Sequence, residues 1–209
     1  SNEIQVAITD SEGDIWIGTK DQGVVKYNAQ TENSTVFSTR QGLNYFKVNT
    51  LFEDRENNIW IGTDLGLNLF RGDEFLIYNE IDGLPNNIVW SIEQDKNKAF
   101  WLGTNEGLVK MVFAEEREDT ERRIAELTTY TTKQGLSNNA VLSVFPSSTN
   151  EIWCGTAYGG VNILKNGKFT TIDSLKGLAS NTVFSIQADN NGNHWVGTEK
   201  GVSRIDASG

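Results

Sequence analysis

One cysteine and one histidine stand among 209 residues. A single cysteine excludes an internal disulfide, and a single histidine excludes a histidine-based metal cage. Cations are scarce: 18 Lys and Arg face 28 Asp and Glu, for a net charge of −10. A phosphate backbone needs a basic face, so this balance excludes a nucleic-acid partner and disfavours anionic lipid. No apolar run approaches the roughly 20 residues of a membrane helix, so no direct membrane insertion by this segment is expected. Ser1-Asn2-Glu3-Ile4 shows neither the basic start nor the apolar run of a signal peptide. If the protein is exported, its signal lies outside these residues. Cys154 lies in an apolar strand and reads as a packing residue.

What the chain has instead is self-similarity. Five segments share one core: Trp16-Ile17-Gly18-Thr19, Trp60-Ile61-Gly62-Thr63, Trp101-Leu102-Gly103-Thr104, Trp153-Cys154-Gly155-Thr156 and Trp195-Val196-Gly197-Thr198. The Trp-to-Trp spacings are 44, 41, 52 and 42 residues. A Gly followed by an aliphatic residue comes six or seven positions after each Trp, from Gly23-Val24 to Gly201-Val202. Gly42-Leu43, Gly83-Leu84, Gly135-Leu136 and Gly177-Leu178 punctuate the units. A period of this size, filled with short runs of Val, Ile, Thr and aromatics, suits a four-stranded β-propeller blade.

The fold class is therefore all-β: five blades at about 1–43, 44–84, 85–136, 137–178 and 179–209. The repeated Trp supplies the wedge of each blade against its neighbour. The Gly two residues later admits the neighbouring backbone or kinks the strand, and the Thr bonds the turn. The fifth unit stops after its third strand, so the blades are expected to belong to a larger propeller or to be completed by another chain. Residues 114–127 form an acidic insertion in blade three. Its Glu118/Arg122 and Asp119/Arg123 spacings suit a short exposed helix.

The unit reads V-x-x-I-x-x-D-x-x-G-x-x-W-I-G-T-x-x-G-L, then an aromatic strand, then the Gly-Leu turn. It closely resembles the two-component regulator propeller repeat, with units two, three and five matching best. Unit four departs at the Asp position, where Pro146-Ser147-Ser148 stands, and its hairpin is expected to differ. The resemblance implies a periplasmic sensor domain of bacterial hybrid two-component histidine kinases, many of which respond to glycan fragments.

Catalytic chemistry is not expected. His194 stands alone, and no G-x-S-x-G, H-E-x-x-H or P-loop pattern occurs. A propeller lyase would gather His, Glu and Arg near its axis, and this chain is poorly equipped for that. The run Asp189-Asn190-Asn191-Gly192-Asn193 reads as a hairpin turn rather than a calcium loop, because Lys200 stands where the bidentate Glu belongs. Asp10, Asp54, Asp95 and Asp189 share one repeat position and are expected to brace hairpins. No cofactor and no metal are expected.

A ligand would sit where the d–a and b–c loops open on one face. Residues that break the repeat there are the candidates: Tyr45, Phe46, Trp90, Asn105 and Tyr158, with Asp64, Glu106 and Lys200 as polar neighbours. Trp90 is read onto the innermost strand at the position of Thr50, Leu142 and Phe184. Aromatic faces and amides suit an oligosaccharide ligand. The alternative is a protein–protein scaffold, in which the same residues form a homodimer contact or meet further blades.

Overall fold

The computed structural model describes residues 3–72, 74–114 and 123–206. Blade one comprises β1 (Ile4–Thr9), β2 (Ile15–Thr19), β3 (Val24–Asn28) and β4 (Asn33–Phe37). Blade two comprises β5 (Val48–Glu53), β6 (Ile59–Thr63), β7 (Gly66–Arg71) and β8 (Glu74–Tyr78). Blade three comprises β9 (Val89–Gln94), β10 (Phe100–Thr104), β11 (Gly107–Phe113) and β12 (Ile124–Tyr130). Blade four comprises β13 (Val141–Pro146), β14 (Ile152–Thr156), β15 (Val161–Lys165) and β16 (Lys168–Ile172). The last sheet holds β17 (Val183–Ala188), β18 (His194–Thr198) and β19 (Gly201–Ile205). Strands of each sheet pair in chain order, four sheets having four strands and the last three. This is the β-propeller class expected from the repeat, with the fifth blade lacking strand d among the described residues. The chain divides into two compact units, one ending at Ile92 and the other starting at Glu93.

Four of the five a–b hairpins are each built on one Asp side chain. The Asp10 backbone N–H donates to the carbonyl of Asp14, and one carboxylate oxygen accepts the N–H groups of Glu12 and Asp14. The other oxygen accepts from Trp16 Nε1 at 2.7 Å. The same carboxylate-to-indole bond recurs from Trp60 to Asp54 at 2.8 Å, Trp101 to Asp95 at 2.9 Å and Trp195 to Asp189 at 3.1 Å. Braced hairpins were the expectation; the link to the repeated Trp adds to it. In blade four the roles divide. Ser147 Oγ accepts the N–H groups of Thr149 and Glu151, while Glu151 accepts from Trp153 Nε1 at 3.2 Å. The hairpin closes as in its siblings, contrary to the expectation that Pro146-Ser147-Ser148 would alter it.

The rest of the motif acts locally. The hydroxyls of Thr19, Thr63, Thr104, Thr156 and Thr198 donate to the carbonyls of Gly23, Gly66, Gly107, Gly160 and Gly201, closing every b–c turn. The Gly-Leu segments end short 3-10 turns. Ser38, Asn79 and Thr131 cap these with Gln41, Asp82 and Gln134 as reciprocal partners. Gly42 closes the first at φ 103°, a left-handed conformation that favours glycine, and Leu43 beyond it is buried.

In the first unit, Trp16 packs against Phe37 and against Phe70 of blade two, and shares a core with Val24, Leu51 and Ile61. In the second, blades three and four meet through Trp101, Val144, Cys154 and Leu164. Blades four and five meet through Trp153, Val161, Val183 and Val196. The motif glycine receives a neighbour's side chain, a Cβ on Gly18 lying 2.5 Å from Val48 Cγ1 and one on Gly155 2.4 Å from Val183 Cγ1, and at Gly62 the expected neighbouring backbone as well, with Val89 O at 3.1 Å. Gly155→Ala is expected to lower stability by about 1–3 kcal/mol through overpacking, measured as the denaturation midpoint. Gly197→Ala should cost less, since only the Ser185 side chain approaches closely there.

Residues 124–127, assigned above to the insertion, belong to β12, and Ala114 N–H donates to Arg123 O across the excursion. The expected helix falls on 115–122, outside the described residues.

Candidate functional site

A single backbone bond ties the lead-in of strand a to the first residue of the b–c turn. Lys20 N–H donates to Glu3 O, Ala157 N–H to Ala140 O and Glu199 N–H to Thr182 O. The d–a and b–c loops therefore share a face within each unit. The side chains on this tie vary freely: Glu3 pairs with Lys20 at 2.9 Å, and Lys47 pairs with Asp64 at 3.0 Å with the charges exchanged.

Strand a adds a second variable position. Its register with strand b slips between Ile4 and Val6, Val48 and Thr50, Val141 and Ser143, and Val183 and Ser185. The skipped residues are Gln5, Asn49, Leu142 and Phe184. A bulge of this kind re-aims a side chain away from the ladder. Val89 contacts the Gly62 position as Val48 contacts Gly18 and Val183 contacts Gly155. Trp90 is thus the equivalent of Asn49, Leu142 and Phe184. The expected correspondence with Thr50 is off by one, because the bulge shifts the count; Thr50 faces Gly62 instead.

The third variable stretch is the d–a loop. Asn87, Asn139 and Asn181 accept the first N–H of the preceding 3-10 turn, from Glu80, Thr132 and Ser174. Phe46 stands at that position in the loop between blades one and two and cannot accept. Its carbonyl accepts from Gly23 N–H at 2.8 Å, as that of Asn181 accepts from Gly160 N–H at 2.9 Å. The Tyr45 ring lies 4.1 Å from the Phe46 ring, and Phe46 is exposed.

These positions converge in the first unit. Lys47 Nζ sits 5.3 Å from the Trp90 ring centroid, within cation–π range, while bonded to both Asp64 oxygens. Asn49 Nδ2 donates to Asp64 Oδ1 at 2.8 Å and to Val89 O at 3.2 Å. Trp90 Nε1 is buried and has no hydrogen-bond partner among the described residues. The unit thus holds an aromatic face, a cation, a carboxylate and an amide on one loop face. Repeat-breaking picked out Tyr45, Phe46 and Trp90, with Asp64 as a polar neighbour. It missed Lys47 and Asn49, whose partners lie 15 to 17 residues away in the turn.

Asn105 and Tyr158 lie in b–c turns of the second unit, both exposed, Tyr158 at 75 %. Glu106 N–H donates to Thr104 Oγ1, and Lys200 N–H to Thr198 Oγ1. Their side chains lie on the same kind of turn as Asp64.

Other reactive groups are committed to structure. The Asp189 carboxylate is held down to about 2 by Asn193 first, then by Trp195 and backbone N–H groups, so it braces its turn. Burial pushes the Cys154 thiol up to about 12, which keeps it protonated. His194 stacks on Trp153 at 3.7 Å and 7°, and burial lowers its pKa. Among the described residues, no three His, Cys, Asp or Glu side chains converge as a metal site, and no helix is long and apolar enough to cross a membrane.

The model of the two component regulator propeller matches residues 42–64, 83–106 and 177–200. These are the Gly-Leu turn and first hairpin of units two, three and five, the units in which the sequence pattern is fullest. A histidine kinase of Formosa agariphila is 30 % identical over 52 % of this chain. The chain spans only 12 % of that relative. The extracellular domain of a hybrid two component system from B. thetaiotaomicron superposes with TM-score 0.79 at 21 % identity, covering 100 % of this chain and 28 % of that one. Virginiamycin B lyase from Staphylococcus aureus superposes at 0.74 with 15 % identity, covering 100 % of this chain and 68 % of the lyase. At these identities the superpositions show the fold alone.

Proposed function

We propose that this chain, three segments of which match the two component regulator propeller model, is the extracytoplasmic recognition module of a signalling protein, without catalysis of its own. It binds a small polar ring compound, such as a glycan fragment, on the loop face of its first unit. One observation carries this reading: Trp90, Lys47, Asn49 and Asp64 gather where the repeat demands no particular side chain. A half-buried ring with hydrogen-bonding groups beside it suits a sugar, which stacks on the ring and bonds the polar groups through its hydroxyls.

The test is a thermal-shift screen over a panel of glycan fragments. Saturation at about 100-fold above Kd adds about 2.7 kcal/mol to stability, a rise of several degrees in Tm for a domain of this size. Trp90→Ala should abolish the shift. A flat response across a broad panel would count against the proposal. The exposed Tyr158 and Phe184 support a second reading, a homodimer contact. Sedimentation at micromolar concentration decides it: a strict monomer removes that reading.

A further inference from the structure

The residue just ahead of a repeat tryptophan packs against the blade before it. Ile59 shares a core with Trp16, and Ile152 shares one with Trp101. Both are buried, as is Phe100 at the same position in blade three. In the last sheet this position holds His194, the one histidine of the chain. Its ring lies on Trp153 of blade four, with centroids 3.7 Å apart and planes within 7° of parallel. It also meets the Phe145 ring edge-on at 5.8 Å. An imidazole thus does the packing that an apolar side chain does in the siblings.

The slot suits only the neutral ring. Both Nδ1 and Nε2 are buried and have no hydrogen-bond partner among the described residues. A neutral imidazole leaves one donor and one acceptor unmatched there; a protonated one leaves two donors and a charge. The face of Trp153 attracts a cation, but it lies parallel to the ring and gives the in-plane N–H groups nothing to bond. The charged groups nearby are already engaged. Glu151, on the blade-four side, accepts from Trp153 Nε1 and from Lys165 Nζ. Asp189, in the same hairpin as His194, accepts from Asn193 and Trp195. Arg204 on β19 bonds Asp206. The residues opposite His194 on the flanking strands, Ala188 and Ile205, carry no charge. Burial therefore outweighs the pull of Glu151 and Asp189 and holds the imidazole below its ordinary 6.5.

The rest of the contact decides what a proton does. Trp153, Val161, Val183 and Val196 form an apolar layer between blades four and five. On the loop face the same blades are tied by bonds, Thr182 Oγ1 donating to Ala157 O and Gly160 N–H to Asn181 O. His194 fills the opposite end of that layer, beside the a–b hairpin.

We infer that the contact between blades four and five is a proton-sensitive joint: neutral His194 keeps it shut, and protonation of the ring loosens it at the a–b hairpin end while the loop-face ties hold. The sign follows from linkage. An opened joint takes up the proton first as pH falls, so opening is favoured below 6.5, by up to about tenfold per pH unit until the shut joint is protonated too.

The lone histidine makes the test direct, because its imidazole Hε1 gives one NMR signal that needs no assignment. A titration midpoint below 6.5 is expected; a midpoint at or above 6.5 overturns the inference. Amide hydrogen exchange then locates the opening, with His194→Leu as the reference at about pH 5 and about pH 7.5. Intrinsic exchange rates cancel in that comparison, and so does Glu93, which titrates in the opposite sense in both proteins. At the lower pH the wild type should exchange several-fold faster than the variant at the β17–β18 hairpin, and no faster around Thr182. At the higher pH the two should match. An equal ratio at both pH values, or faster exchange spread over the whole chain, overturns the inference. His194→Phe, which copies blade three, replaces the leucine variant if that one does not fold.

Discussion

Trp60→Ala is expected to destabilise the protein by about 4–5 kcal/mol, the largest loss from any single repeat tryptophan. The residue is fully buried and stacks on Tyr78. Truncating a buried Trp costs about 3–5 kcal/mol through lost transfer energy and the cavity left behind. A further cost falls on Asp54, itself 3 % exposed, which loses the indole donor at 2.8 Å. A buried carboxylate deprived of a donor costs about 1 kcal/mol or more, tempered here by Asn58, which bonds both oxygens. Trp195→Ala makes the internal comparison. Its ring is nearly half exposed and its carboxylate partner is solvated, so about 1–2 kcal/mol is expected from the smaller burial. Guanidinium denaturation midpoints of the two variants measure the difference. Equal losses would mean that the repeat position, rather than burial against a neighbour, sets the energetics.

The second large effect depends on pH. Glu93 lies in β9 at the position held by Ile8, Phe52 and Phe145, which pair with the repeat tryptophans of their blades. Ile8 packs with the core it shares with blade two, and Phe145 with the core it shares with blade five. A carboxyl on this flank is desolvated, and burial raises its pKa from 4.5 to about 7. Below pH 4.5 the group is protonated whether the chain is folded or not, and costs nothing. Between 4.5 and 7 the unfolded chain releases the proton first, so stability falls with rising pH by about 1.4 kcal/mol per unit. Above 7 the penalty is complete, at about 3 kcal/mol. Glu93→Gln should remove that slope and stabilise the protein at pH 8 by a comparable amount, while changing little at pH 4.5. Urea midpoints at the two pH values measure this; a pH-independent gain would assign the effect to side-chain volume instead.

Five blades and the bracing Asp residues were legible because the repeat aligns positions whose physical task is the same in every unit. Where a task passes to another side chain, alignment fails. Ser147 and Glu151 share what one Asp does elsewhere, so a substitution at one position looked like a distorted hairpin. The 3-10 turns escaped notice because their caps, Ser38, Asn79, Thr131 and Asp173, differ in type while serving one geometry. Trp90 stood out as an aromatic that broke the pattern, but its register was misjudged, since an unpaired residue in a strand leaves no mark on apolar spacing. Lys47 and Asn49 read as ordinary surface polarity. Their place beside Trp90 and Asp64 follows from the bend at the start of β5, which periodicity does not encode. Glu93 was passed over for the same reason: alternation marks which way a residue points, not whether a neighbouring sheet covers it.

The bulge at the head of strand a has a consequence for how such a protein changes over generations. Gln5, Asn49, Leu142 and Phe184 are left out of the ladder, so their identity does not bear on register. On the proposed reading, side chains at these sites can be exchanged to alter what the loop face meets without disturbing the pairing of the strands around them. A new specificity would then ask for substitutions at a few unpaired positions rather than for a new framework.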